Sequence, residues 1–414
     1  MKTRIKTKKL VPVICGTLLL GLMIGSTSSM VSAAQKPLKI GTIMPTAATF
    51  SVYTKGVLAG LELEVDEINA SGGILGRKVE YIVRDTQMKP DVGVREARFL
   101  ILEEKVDMLN GPMSSSTLLA VSELTREHKM LHLVWSSKHT DFTEARFNPY
   151  GFRFCDNVTV QARQGVRGMI GQGWKTAWLL SPDYSWGQEM ATEVKSYASK
   201  VVPEIKFIGE SWPPMAEKDF TPYITEIAAK EPDVIYCNVF GGDFVVLVQQ
   251  LKRFGLLDKL DICGALLDGE QVRPLGLGKI PEGIHGYSQY EPFTPDIPAN
   301  REWREKYKRK TGEYPGYTGT NVHIMMLFWK AAMEKAGTTT DRDAIIRALE
   351  GMSLMTPLGQ VTIRAFDHQS DQGHVVGVTS RDPRVPNYLV VKGEYMPATD
   401  ILHTMDEIKA ARGK

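Results

Sequence analysis

The chain predicts an α/β fold of two doubly wound lobes, each a parallel sheet with helices on both faces. Three observations carry this. From residue 38 onward, short apolar runs alternate with longer stretches of helical periodicity. The alternation restarts after Arg153, giving two consecutive blocks. No glycine-serine or proline-rich linker separates them, so several short crossings should join the lobes and restrict them to a hinge motion.

In the first block, residues 38–44 read as a strand. Val57, Leu58, Leu61, Val65 and Ile68 recur at helical spacing over 53–69. Gly72 and Gly73 end that helix, because glycine accepts the left-handed geometry of a C-cap. A strand at 79–83, a helix at 91–104, a strand at 106–110, a helix opening at 114–117 and a strand at 131–134 complete the block. The second block predicts helices at 160–171, 187–200, 219–230 and 242–254. Its strands are expected at 177–180, 206–208, 234–237 and 261–263. A strand at 283–287 follows, then helices at 302–312, 321–336 and 341–349.

Residues 1–34 read as a secretory signal peptide. Lys2, Arg4, Lys6, Lys8 and Lys9 precede an apolar run from 10 to 24 and a small-residue stretch ending Val31, Ser32, Ala33, Ala34. The run is shorter than the roughly 20 residues of a membrane-spanning helix, and Pro12 and Gly16 interrupt it. Cys15 does not fit a lipid-attachment site, since Ile14 stands where a small residue is required. Removing five cations takes the formal charge from +2 to −3. The remaining basic residues are scattered, which argues against nucleic acid as a partner, and no later segment is apolar for long enough to insert in a membrane. Cys155, Cys237 and Cys263 survive processing; none has metal-ligand spacing, and burial as small hydrophobes is expected.

Catalytic signatures are missing. There is no GxxxxGK loop, GxSxG elbow or HExxH pair, and the histidines are few and scattered. An enzyme is not expected, nor a metal or other cofactor. The informative segment runs from Gly111 through Pro112, Met113, Ser114, Ser115 and Ser116 to Thr117, joining a strand end to a helix start. Ligands bind outside the carboxyl ends of such strands. Free amide N–H groups with serine hydroxyls suit a carboxylate there, although one of these serines would serve any helix as a cap. The next strand ends in Trp135, Ser136, Ser137, Lys138, a second polar cluster that reads equally as an ordinary loop. In the second block Trp186 and Phe240 occupy strand-to-helix positions. They suit a wall against an apolar ligand, or packing between lobes.

At these residues the chain resembles the periplasmic branched-chain amino acid binding proteins, the leucine-binding receptors of ABC importers. The marks are Lys39-Ile40-Gly41, the run from Asp66 to Gly76 with Asp85 beyond, the 111–117 segment, Asp183 to Gly187, Lys218-Asp219-Phe220 and Thr356-Pro357-Leu358-Gly359. The resemblance implies a type I periplasmic binding protein whose lobes, joined by three hinge crossings, close over a small-molecule carboxylate. A permease then recognises the closed form. It places the first lobe at 35–156 and 287–358, the second at 157–286 and 359–414, and a monomer in the periplasm. Ser114 matches the family's carboxylate-binding serine, Ser136 to Lys138 its second carboxylate loop, and Tyr53 an aromatic that shapes the pocket. Trp186 stands where the family has a tyrosine, and Phe240 where it has another aromatic.

Two departures bear on the ligand. The family's acid for the ligand ammonium falls in Gly264-Ala265-Leu266-Leu267-Asp268, with leucine at the expected place, so Asp268 serves only if the loop shifts. Lys138 adds positive charge beside a carboxylate. Family weight ranks a branched-chain or other hydrophobic amino acid first. An aromatic or aliphatic acid without an amine follows closely, and a sensor reporting to a signalling partner is the alternative of another class.

Overall fold

Five parallel strands make the first sheet: β1 (Leu38–Met44), β2 (Val79–Asp85), β3 (Met108–Asn110), β4 (His132–Val134) and β5 (Gly151–Arg153), in the order β2-β1-β3-β4-β5. The computed structural model describes residues 35–47, 50–273, 276–277 and 280–413, and the leader expected at 1–34 lies outside them. β1 is buried along almost its whole length, as a strand sandwiched between helices must be. Helices α1 (Ser51–Ala70), α2 (Pro90–Leu102) and α3 (Ser115–Glu127) make the crossovers.

The second block repeats the plan. α4 (Val158–Arg167), α5 (Ser185–Val201), α6 (Thr221–Lys230) and α7 (Gly241–Arg253) alternate with β6 (Thr176–Leu180), β7 (Lys206–Ser211), β8 (Val234–Cys237) and β9 (Asp261–Cys263). These strands form a parallel sheet in the order β7-β6-β8-β9. Gly264 then bends the chain at φ +69°; a Cβ there would fall 2.6 Å from the Tyr236 ring, so only glycine fits. Past the bend, β10 (Ala265–Leu266) pairs with β11 (His285–Ser288), and α8 (Gly269–Val272) lies between them in sequence.

The chain then returns to the first core through α9 (Pro298–Thr311), α10 (Tyr317–Ala336), α11 (Arg342–Leu349) and the hairpin of β12 (Ser353–Thr356) and β13 (Gly359–Thr362). Trp303, Trp329, Leu349, Val361 and Ile363 share one hydrophobic cluster with Leu38, Ile40 and Leu61. β14 (His374–Arg381) and β15 (Leu389–Met396) extend the β10–β11 sheet as antiparallel strands, and α12 (Met405–Ala411) opens on a Thr404–Glu407 capping box.

The fold is two doubly wound lobes with three crossings, after β5, after β11 and before β14. The first and third lie side by side, with the Arg153 N–H donating to the His368 carbonyl at 3.0 Å and the Ser370 N–H to the Arg153 carbonyl at 3.0 Å. β5 and all four strands after α11 are absent from the sequence reading. β14 and β15 pair antiparallel, so no helix separates them to mark each as a strand. Cys155, Cys237 and Cys263 are buried free thiols.

Candidate ligand-binding site

The carboxyl ends of both sheets meet at a cavity of ≈ 40 Å³. From the first lobe Met113 and Ser115 follow β3, Ser136 and Lys138 follow β4, and Tyr317 opens α10. From the second, Tyr184 and Trp186 follow β6, Phe240 follows β8 and Leu266 ends β10. Met88, Gln161 and Gln289 complete the wall. A wider recess of ≈ 530 Å³ is bounded by α1, α8, α9 and the 384–388 loop rather than by strand ends. Its Arg273 guanidinium is already bonded to the Tyr314 and Pro315 carbonyls.

The apolar side is aromatic. Trp186 and Phe240 meet edge to face at 5.4 Å, with Tyr184 5.9 Å from Trp186. The Trp186 indole N–H donates to Gln161 Oε1 at 2.9 Å, which holds the ring against the cavity. Across from them Tyr317 stands 6.0 Å from Tyr53. Glycines fix that pair: at Gly60 a Cβ would lie 2.8 Å from the Gly319 carbonyl oxygen, so α1 and α10 touch backbone to backbone. Tyr53 does not itself line the cavity. Among the described residues its buried hydroxyl has no hydrogen-bond partner, and a Cβ on Gly241 would lie 3.4 Å from it, so it stands where the lobes meet. Burial, with Glu270 and Asp268 adding to it, raises its pKa well above the ordinary value.

Of the four consecutive polar candidates at 114–117, only Ser115 reaches the cavity; its Oγ also accepts from the Lys138 N–H at 3.4 Å. Ser114 caps α3, its Oγ accepting from the Thr117 N–H at 3.4 Å. Ser116 points to the other lobe, 2.9 Å from the Ser185 Oγ. Trp135 is a core residue whose indole donates to Asn110 Oδ1 at 3.2 Å. Ser137 ties two loops, donating to the Pro112 carbonyl at 2.6 Å. Ser136 lines the cavity, 3.3 Å from the Tyr317 hydroxyl.

Lys138 is the only cation among the described lining residues. Its ammonium bonds Asp156 Oδ1 and Gln289 Oε1 and lies 5.4 Å from the Tyr317 ring centre. Burial would raise the Asp156 carboxyl, but Lys138 and His374, whose Nε2 stands 2.9 Å away, outweigh it and bring it down to about 2. Asp268 is not at the surface of the cavity. Its Oδ1 accepts from the Gln289 N–H at 2.6 Å and the Ser288 hydroxyl at 3.1 Å, and its Oδ2 from the Gln289 amide at 2.8 Å. Burial, then Glu270, push it up to about 8 against those donors. Asp268 was expected to serve a ligand ammonium only if the loop shifts; the bend at Gly264 turns Leu266 to the cavity and leaves Asp268 behind it.

Sequence reasoning left out Met88, Met113, Gln161, Tyr184, Leu266, Gln289 and Tyr317. Met113, Tyr184 and Leu266 sit inside segments already singled out, so strand-end position was sufficient signal. Gln289 arrives from the second crossing and Tyr317 from the start of α10, where periodicity carries no such mark.

A periplasmic binding protein profile matches residues 37–379, most of the chain. The chain belongs to the periplasmic binding protein family. It is of type I, in the branched-chain amino acid branch of the ABC-transporter receptors. The chain is 26% identical over 383 residues to Leu/Ile/Val-binding protein homolog 4 of Brucella abortus, covering 87% of this chain and 88% of that one. A Burkholderia mallei periplasmic binding protein superposes with TM-score 0.80 at 21% identity, over 91% of this chain and 99% of that one. A solute-binding protein of an ABC transporter from Rhodopseudomonas palustris, in complex with 3,4-dihydroxybenzoic acid, does so with TM-score 0.78 at 21% identity, over 87% and 98%. Periplasmic binding proteins of this branch are the solute-binding components that deliver small molecules to ABC permeases. Among the described residues no helix is long and apolar enough to cross a membrane.

Proposed function

We propose that this binding protein captures a small carboxylate with an apolar, aromatic body and no amine, and hands it to an ABC importer by hinge closure. One observation carries the reading: no described residue lining the cavity is acidic. The nearest buried acids are committed, Asp156 to Lys138 and Asp268 to Gln289. A ligand ammonium would be buried without a counter-charge, at a cost of several kcal/mol. A carboxylate instead meets the Lys138 ammonium with the hydroxyls of Ser115 and Ser136, while Trp186, Phe240 and Tyr184 receive a ring. The dihydroxybenzoate complex of the Rhodopseudomonas relative is consistent with this chemistry. A branched-chain amino acid, ranked first by sequence, keeps the support of the Brucella relative's name.

A space of ≈ 40 Å³ is far below the roughly 300 Å³ or more of ordinary ligand sites, so entry requires the lobes to part. In this reading the first lobe comprises 35–156 and 290–370 and the second 157–289 and 371–413. The β12–β13 hairpin goes with the first because Val361 and Ile363 lie in its core, which moves the last crossing beyond the 358/359 boundary read from sequence. The protein works outside the cytoplasm as a monomer after loss of residues 1–34. A thermal-shift screen of benzoate and phenylacetate against leucine and valine tests the ligand class. Stabilisation by the amine-free acids is expected, and stabilisation by the amino acids alone would overturn it.

A further inference from the structure

We propose that Gln289 determines whether the cavity takes an amine-free acid or an amino acid, and that Asp268 acts as its positioning residue. This deepens the proposed function and rests on that reading of the cavity. Gln289 follows β11 on the second crossing, is buried, and forms part of the wall. Its amide has one orientation that suits both neighbours. The carbonyl oxygen receives the Lys138 ammonium, and the amide nitrogen donates to Asp268 Oδ2 at 2.8 Å. Turned over, the amide would set N–H groups against the ammonium and an oxygen against the carboxyl group.

The consequence lies in where the acid stands. Asp268 is one side chain behind the wall, and Gln289 shows the cavity a neutral amide beside the Lys138 cation. A carboxylate finds a donor, whereas an ammonium finds an oxygen already in use and no anion. Moving the acid one step forward should reverse the preference. The pair Asp268→Asn with Gln289→Glu keeps the number of acidic groups the same: the new amide at 268 donates to the new carboxylate at 289, whose other oxygen keeps Lys138.

The test is calorimetry of benzoate and L-leucine on the wild-type mature chain, the double variant, Gln289→Glu alone and Gln289→Ala. The benzoate-to-leucine Kd ratio should move by about tenfold or more towards leucine in the double variant, the change expected from one charge-assisted bond. Gln289→Glu alone should move it in the same direction and serves if the double variant does not fold. Gln289→Ala supplies no acid and should not bring in leucine. Ratios within about twofold of wild type in variants that melt cooperatively would overturn the assignment. A wild-type chain that prefers leucine overturns the proposed function instead, and the ratio shift is then read separately. Binding of neither probe by any chain overturns both.

Discussion

At the scale of single residues, neighbours in sequence do different jobs. Ser114, Ser115 and Ser116 are consecutive, yet one caps α3, one faces the cavity and one touches Ser185 of the other lobe. A helix start explains this, because successive side chains there point about 100° apart. Ser114→Ala should therefore cost about 1 kcal/mol of stability, the usual worth of an N-cap, and leave affinity for an aromatic carboxylate nearly unchanged. Ser136→Ala should weaken that affinity by about 1–3 kcal/mol, the worth of a bond to a charged group. Urea melts paired with calorimetry separate the two, and a large loss of affinity in Ser114→Ala would return that serine to the site. Composition and strand-end position made Ser115, Ser136, Lys138, Trp186 and Phe240 legible in the sequence. They could not tell Ser136 from Trp135, because which of two adjacent side chains faces the cavity depends on a loop's course.

At the scale of elements, α10 is the piece on which the wall depends. Its first residue is Tyr317, and its N-terminus is held by Glu270 of α8, which accepts from the Tyr317 N–H at 3.1 Å, the Thr318 N–H at 3.0 Å and the Thr318 hydroxyl at 2.9 Å. A carboxylate at the positive end of a 20-residue helix satisfies otherwise orphaned donors and opposes the helix dipole. Glu270→Gln keeps the shape and removes the charge. It should lower unfolding free energy by about 1–2 kcal/mol in urea titrations, and an unchanged midpoint would show that the charge at this cap contributes nothing. The helix 321–336 was visible from its periodicity, but its true start four residues earlier was not. Gly316, Tyr317, Thr318, Gly319 and Thr320 have poor helix propensity, and the packing of Gly319 on α1 together with the Glu270 cap overrides it.

At the scale of the molecule, strand–helix alternation revealed both doubly wound blocks, while the antiparallel β14–β15 pair that extends the β10–β11 sheet gave no such signal. Buried titratable groups give the whole fold a pH dependence. Burial pushes the carboxyls of Asp268 and Glu291 up to about 8 and that of Glu189 up to about 7. Each keeps its proton in the folded chain after the unfolded chain has lost it. Their contribution is thus fully present below about pH 4 and gone once pH has risen through the folded values. Burial brings His132 down to about 4. Its contribution is present above about pH 6.5 and lost as pH falls through the folded value. From about pH 6.5 to 8 only the raised carboxyls of this set still titrate, so Tm should fall across that window. A Tm that rises there in scanning calorimetry would contradict the buried, protonated state of these acids.

The central claim is that the cleft is built for a carboxylate without an amine. Isothermal titration of the ligand-free mature chain with benzoate and with L-leucine tests it most directly. Saturable heat with benzoate and none with leucine is the predicted result; saturable heat with leucine and none with benzoate would contradict it.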